Sequence, residues 1–180
     1  MSEEIEKKIH RITKSIRAFP DFPKVGVLFR DIFPIFADPN VLDDLIDVLI
    51  NHIETNNLQL DNIVGLESRG FLLGSILGYR LKLPFIPIRK AGKLPGCVES
   101  IAYDLEYGSD RFEIQTESIR AGSKCLIIDD LLATGGSILS AIQLIKKCRA
   151  SIAQVMVVIE LEEFRGRSKF SEPFYSVIQY

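Results

Sequence analysis

Cys125-Leu126-Ile127-Ile128-Asp129-Asp130-Leu131-Leu132-Ala133-Thr134-Gly135-Gly136-Ser137 is the stretch that decides the fold. It opens on an apolar run of the length a buried strand needs. Two adjacent carboxylates follow, then small and hydroxylic residues, then a helical pattern with Ile138, Ala141, Ile142 and Ile145 on one side. Such a loop lets backbone N–H groups crowd around one oxyanion, and the helix start adds partial positive charge. Ala133, Thr134, Gly135, Gly136 and Ser137 therefore form a candidate cradle for the phosphate of a phosphorylated sugar, with hydroxyl donors from Thr134 and Ser137. Asp129 and Asp130 stand just upstream, where they could accept from sugar hydroxyls or hold a hydrated magnesium ion. A Walker loop would need a lysine after the glycines and a dinucleotide fingerprint G-x-G-x-x-G; neither occurs.

Outward from this junction the same pattern repeats. Ile63-Val64-Gly65-Leu66 precedes Glu67-Ser68-Arg69-Gly70 and a helical stretch over 71–81; Phe85-Ile86-Pro87-Ile88 and the run 155–159 are further short apolar segments. Short apolar runs alternating with helices predict an α/β fold: a parallel twisted sheet with helices on both faces. Ligands bind such sheets at the carboxyl ends of the strands. Upstream, Ile5, Ile9, Ile12 and Ile16 mark a helix over 3–17, and 19–31 reads as an ordered loop rich in aromatics. Asp38-Pro39 starts a helix to about residue 56, with Val41, Leu42, Leu45, Leu49 and Ile53 inward. The region 89–116 breaks the alternation. Arg89-Lys90-Ala91-Gly92-Lys93-Leu94-Pro95-Gly96 reads as a flexible loop, and 103–107 and 111–115 alternate like two strands around Gly108-Ser109, an antiparallel flap.

Composition bounds the alternatives. A chain of 180 residues without repeat or linker favours one domain, 1–180. A net charge of −2 supplies no field for nucleic acid. Cys97, Cys125 and Cys148 are odd in number and widely spaced, which favours free thiols in a reducing compartment. His10 and His52 fall on helical patterns far from any cysteine, so no zinc site is expected. The start Met1-Ser2-Glu3-Glu4 lacks a secretory pattern, and no apolar run approaches the ~18 residues of a membrane span. A cytoplasmic protein is the expectation.

The 125–137 junction resembles the phosphoribosyl pyrophosphate (PRPP) motif of the type I phosphoribosyltransferases. The resemblance runs over nearly the whole chain. Phe19-Pro20-Asp21-Phe22-Pro23, the stretch 26–31, Glu67-Ser68-Arg69-Gly70-Phe71, the loop 89–96 and Leu105-Glu106-Tyr107-Gly108 are similar to the adenine-specific members of that family. It implies the family fold, with a base-binding hood in 1–35 and a flap in 89–116. It also implies transfer of a phosphoribosyl group from PRPP to adenine with magnesium, giving AMP and pyrophosphate in purine salvage. The cradle would hold the 5-phosphate, with Asp129 and Asp130 facing the ribose. Ser68, Arg69, Arg89, Lys90 and Lys93 would meet the pyrophosphate; arginine offers a planar fork for phosphate oxygens. Arg69 and Glu106 are the implied catalytic residues, Glu106 handling the proton as the base is glycosylated. Tyr107 would cover the site from the flap. Phe22, Leu28 and Arg30 would form the hood over adenine, backbone groups at Leu28 reading its amino group and ring nitrogen. A homodimer is implied, with Arg89 reaching the neighbouring site. For magnesium no direct protein ligand is assigned, Asp129 and Asp130 being the candidates. Two alternatives stay open: a 6-oxo purine as acceptor, and a PRPP-sensing regulator on the same fold. The latter would need a DNA-binding module, for which the helix over 3–17 is too short.

Overall fold

The computed structural model describes residues 2–105 and 108–180, with backbone alone at 103–105 and 108–110. The chain forms two compact units, Met1–Asn56 and Asn57–Tyr180.

In the first unit, helix α1 (Glu3–Ser15) starts at Ser2, whose hydroxyl accepts from the Ile5 N–H. Glu3, Glu4 and Glu6 lie at the positive end of its dipole. The stretch expected as loop instead contains an antiparallel ribbon. Strand β1 (Arg17–Pro20) pairs with β2 (Leu28–Asp31), and Arg17 Nη2 closes onto Asp31 across the pair at 2.7 Å. All four β1 residues are exposed, so no alternation marked it in the sequence. A short helix α2 (Phe33–Ala37) leads to α3 (Pro39–Thr55). The Asp38 carboxylate caps α3 by accepting from the Asn40 N–H at 2.9 Å, as Asp38-Pro39 predicts. Val41, Leu45, Leu49 and Ile53 are buried, Leu42 is half-buried, and Ile46 and Val48 widen the inward face. Lys8 on Asp47 (2.6 Å) and Arg11 on Asp44 (2.6 and 2.8 Å) tie α1 to α3.

The second unit is built on a seven-stranded sheet. Its elements are β3 (Asn62–Leu66), α4 (Arg69–Leu81), β4 (Phe85–Lys90), β5 (Val98–Leu105), β6 (Gly108–Gln115), β7 (Lys124–Leu132), α5 (Gly136–Lys147), β8 (Ser151–Glu160) and β9 (Phe174–Gln179). The strand order is β5-β6-β4-β3-β7-β8-β9. The five strands from β4 to β9 are parallel, and the β5–β6 hairpin adds antiparallel to β4. Strand alternation sends neighbours to opposite faces. Val64, Ile86 and Ile127 join Ile138, Ala141, Ile142 and Ile145 of α5 in one core. Gly65, Phe85 and Ile128 face the other way. Positions for an added Cβ at Gly65 and Gly74 lie 2.7 and 2.6 Å from the Phe85 ring, so α4 presses close on that face. Helices thus cover both faces, as the alternating runs predict.

The structure departs from the sequence reading at several points: Arg89 and Lys90, expected in the flexible loop, close β4 by pairing with β6, and the flap strand expected from 103 already starts at Val98. Strand β7 continues through both aspartates to Leu132, because β8 pairs with it as far as Leu132↔Glu160. Gly108 and Ser109 are not the flap's turn but strand residues opposite Leu105 and Asp104. Strand β9 was not foreseen; it lies beyond an irregular stretch with 3₁₀ turns at Glu162–Phe164 and Gly166–Lys169. Among the described residues, no helix is long and apolar enough to cross a membrane.

Candidate active site

The parallel strands, numbered in chain order, run 2-1-3-4-5 across the sheet. The order reverses between β3 and β7, and open α/β sheets bind ligands at the strand carboxyl ends of that switch point. A cavity of about 240 Å³ lies there. Glu67, Ser68 and Arg69, after β3, line one side; residues from Asp129 at the end of β7 to Ile138 in the first turn of α5 line the other.

The cradle is shaped by backbone contact. Gly135 has φ +79°, a left-handed conformation that glycine adopts without penalty. A Cβ on it would lie 2.6 Å from the Gly166 carbonyl oxygen, and one on Gly166 would lie 2.0 Å from the Ala133 carbonyl oxygen. Two backbones therefore touch, and the 166–169 turn buttresses the loop from behind. Nothing lies within 4 Å of a Cβ position on Gly136, so that side of the loop is open. The first N–H groups of α5 have no intrahelical acceptor, which suits them to an anion in the cavity. Thr134 is exposed and Ser137 half-buried beside them. Gly166 escaped the sequence reading, since its partner lies some thirty positions away.

The aspartates are asymmetric. Asp130 is buried, and its carboxylate accepts from Arg69 Nε at 2.5 Å. Asp129 accepts from the Asp130 N–H at 2.9 Å and packs under Gly70, where a Cβ would come within 3.2 Å of its Oδ1. Burial first, and the Asp130 charge second, push the Asp129 carboxyl well above the usual carboxylate range. Arg69, predicted to meet pyrophosphate, is thus joined to a residue predicted to face ribose, with 39% of its side chain exposed. The Ser68 hydroxyl makes no capping bond to α4, and the Glu67–Ser68 peptide is cis.

The basic loop is organised by Glu67, which the sequence reading quoted without giving it a role. Its Oε1 accepts from Arg89 Nη2 (2.9 Å) and Lys93 Nζ (3.0 Å); its Oε2 accepts from Arg89 Nε and the Lys90 N–H (both 3.2 Å). Arg89 Nη1 also donates to the Lys93 carbonyl at 3.2 Å. Arg89 foremost, then Lys93 and the Lys90 N–H, hold the Glu67 carboxyl down to about 2 against the opposing effect of burial. No alternation or motif spacing announces this cluster; its members meet because β3 and β4 are adjacent and parallel.

Phe22, Leu28 and Arg30 belong to the first unit, on or beside the β1–β2 ribbon. Phe22 is 54% exposed and meets Phe29 edge-on at 5.2 Å. Leu28 is opposite Pro20, which has no N–H to give the Leu28 carbonyl. Glu106 and Tyr107 lie outside the described residues. Among the described residues, no cluster of three or more His, Cys, Asp or Glu side chains could hold a metal ion. Of the two candidate carboxylates, Asp130 is engaged by Arg69, and burial together with the Asp130 charge raises the Asp129 carboxyl. The chain therefore offers no protein cage for magnesium at that point, although an ion held chiefly by water and substrate oxygens is compatible with it.

Comparison with known proteins gives the family. Residues 34–178 match the family model of the phosphoribosyl transferase domain. The adenine phosphoribosyltransferase of Drosophila pseudoobscura pseudoobscura is 45% identical over 175 residues, covering 97% of each chain. The structure of the Saccharomyces cerevisiae adenine phosphoribosyltransferase, complexed with adenine and an imino-altritol bisphosphate, superposes with a TM-score of 0.94. It is 42% identical, over 96% of this chain and 99% of that one. The Trypanosoma brucei enzyme, in complex with AMP, pyrophosphate and ribose-5-phosphate, gives 0.86 at 26% identity, over 97% and 79%. With a family match over most of its length and relatives more than 40% identical over nearly all of it, the chain belongs to the phosphoribosyltransferase family.

Proposed function

We propose that the chain is a purine-salvage transferase that moves the 5-phosphoribosyl group of PRPP to N9 of adenine, giving AMP and pyrophosphate. The observation that carries this reading is the cavity at the switch point, with the small-residue cradle on one wall and Ser68-Arg69 on the other. Relatives of the same length named for this activity support it.

The resemblance assigns the residue roles, and the chemistry of each residue type supports them. Ala133, Thr134, Gly135, Gly136 and Ser137 hold the 5-phosphate, and Asp129 and Asp130 accept from the ribose hydroxyls. Carboxylate charge beside the anomeric carbon favours the electron-poor state that glycosyl transfer passes through. Ser68, Arg69, Arg89, Lys90 and Lys93 bind and stabilise the departing pyrophosphate. Magnesium, if brought with PRPP, would screen the charge of the pyrophosphate beside these residues. Glu106 takes up or relays the adenine N9 proton, under a flap that carries Tyr107 and excludes water. Phe22 stacks on the base, Arg30 borders the same hood, and the Leu28 carbonyl accepts from the exocyclic amine. A 6-oxo purine offers an acceptor there and leaves that carbonyl unpaired, which disfavours it. The enzyme works in the cytoplasm as a homodimer in which Arg89 also serves the neighbouring site. The test is pyrophosphate release with PRPP and each purine in turn. Turnover of hypoxanthine or guanine with none of adenine would replace this reading by the 6-oxo alternative, and operator binding without turnover would revive the regulator.

A further inference from the structure

Glu67 has a position that the reaction as described leaves unexplained. It follows β3 directly, lines the cavity, and precedes Ser68-Arg69. Its own N–H donates to the Ile88 carbonyl at 3.1 Å, which pins the residue to the end of β4. An ionised carboxylate has about four acceptor sites. Glu67 fills its sites with four donors, three of them on two cations that a pyrophosphate would also need. Its side chain is only 15% exposed, so the pairing is sheltered from water on the carboxylate side. Phosphate oxygens and carboxylate oxygens prefer the same planar fork of arginine and the same ammonium donors. The site thus already contains an anion of its own on the donors of the basic loop.

We infer that Glu67 is a built-in competitor of pyrophosphate: it holds Arg89 and Lys93 when the product leaves, and pyrophosphate must take them from it to bind. The inference rests on the pyrophosphate reading of the cavity and deepens it. The arrangement has two consequences. The loop cations keep a fixed place on Glu67, itself part of the cavity wall, instead of dispersing into water. And the product is held less tightly than the number of cations suggests, because a fraction of every cation–phosphate contact is offset by a broken contact to Glu67. Release of a multiply charged product is a common brake on turnover, and an internal carboxylate that re-forms its pairs as the product departs relieves it. Glu67 is on this account a positioning residue, acting through Arg89 and Lys93 rather than touching the reacting atoms.

The experiment is calorimetric titration of inorganic pyrophosphate, with magnesium, into the full chain and two variants. Glu67→Gln keeps the shape and removes the charge. It should tighten pyrophosphate by about two- to fivefold, the span a single ion pair of this kind contributes. The gain should shrink as salt is raised, since the competing pair is electrostatic. Glu67→Asp keeps the charge but shortens the reach by one methylene, loosening the fork on Arg89. It should tighten pyrophosphate too, by less, and it carries the test alone if the glutamine variant fails to fold. The adenine constant should stay put in both, which a general loosening of the fold would not allow. Equal or weaker pyrophosphate binding in Glu67→Gln overturns the inference, as does a Glu67→Asp variant that binds like the parent chain, since then bare charge and not the contact is at work. A parent chain that binds no pyrophosphate would instead count against the proposed function itself.

Discussion

Replacing Gly135 by alanine probes the cradle with a cost that can be worked out from the structure. Gly135 has φ +79°, and a left-handed conformation costs an L-residue ~1–2 kcal/mol. The new methyl would also lie 2.6 Å from the Gly166 carbonyl oxygen. Gly166 meets the same loop at a second point, since a Cβ on it would lie 2.0 Å from the Ala133 carbonyl oxygen. Relieving the clash drives the 133–135 loop and the 166–169 turn apart at both contacts, and with the loop move the N–H groups that the proposed function assigns to the phosphate. Losing one charge-assisted hydrogen bond removes ~1.5–3 kcal/mol, or about ten- to a hundredfold in affinity. The assay is the apparent PRPP constant and ribose 5-phosphate affinity of Gly135→Ala, with the adenine constant as internal control and thermal melting to confirm folding. The PRPP constant should rise by about that factor while the adenine constant stays within about twofold. A folded variant with unchanged PRPP affinity would refute the cradle.

Four further outcomes are expected. Arg69→Ala leaves the buried Asp130 carboxylate without its guanidinium; urea unfolding should show a loss of about 1–2 kcal/mol, together with weaker pyrophosphate binding, because the pair is half-exposed. Asp129→Asn should raise stability near neutral pH and weaken PRPP binding. The sign follows from the raised Asp129 carboxyl: the folded chain holds that proton more tightly than the unfolded one, so the ionised group costs stability as pH rises above the usual aspartate range. A melting temperature that falls would contradict it. Glu67 runs the other way: its carboxyl is held at about 2, so its stabilising contribution is complete above about 4.5 and is lost as pH falls from there through about 2. The stability gap between the parent chain and Glu67→Gln should close across that window, and a gap constant in pH would show that the ion pairs contribute nothing. Glu106→Gln should lower turnover by about a hundredfold with little change in the apparent substrate constants, since general acid–base catalysis supplies effects of that order; full turnover would remove the proton-handling role.

The sequence exposed what local pattern encodes. The apolar run after Cys125, the small residues of the cradle and the periodic α5 face were legible because each is a contiguous signal. So was the Asp38 cap, one side chain reaching a backbone N–H two residues on. The β1–β2 ribbon was not, because four exposed residues ending in Pro20 carry neither alternation nor a hairpin turn signal. The aspartates looked like loop residues, yet Asp130 is a strand residue whose inward charge is tolerated because Arg69, across the switch point, satisfies it. Glu67 and Gly166 were illegible for a common reason. Glu67 is defined by cations 22 and 26 positions away, and Gly166 by a close approach of distant backbone. Such roles depend on strand adjacency, which the sequence implies only after the topology is known.

The central claim is that this cavity joins a phosphoribosyl group to adenine. The most direct measurement is pyrophosphate release from PRPP and magnesium, with adenine, hypoxanthine and guanine offered separately. The account predicts stoichiometric pyrophosphate and AMP with adenine, and release with the 6-oxo purines lower by orders of magnitude. Release with hypoxanthine or guanine equal to or above that with adenine would contradict it.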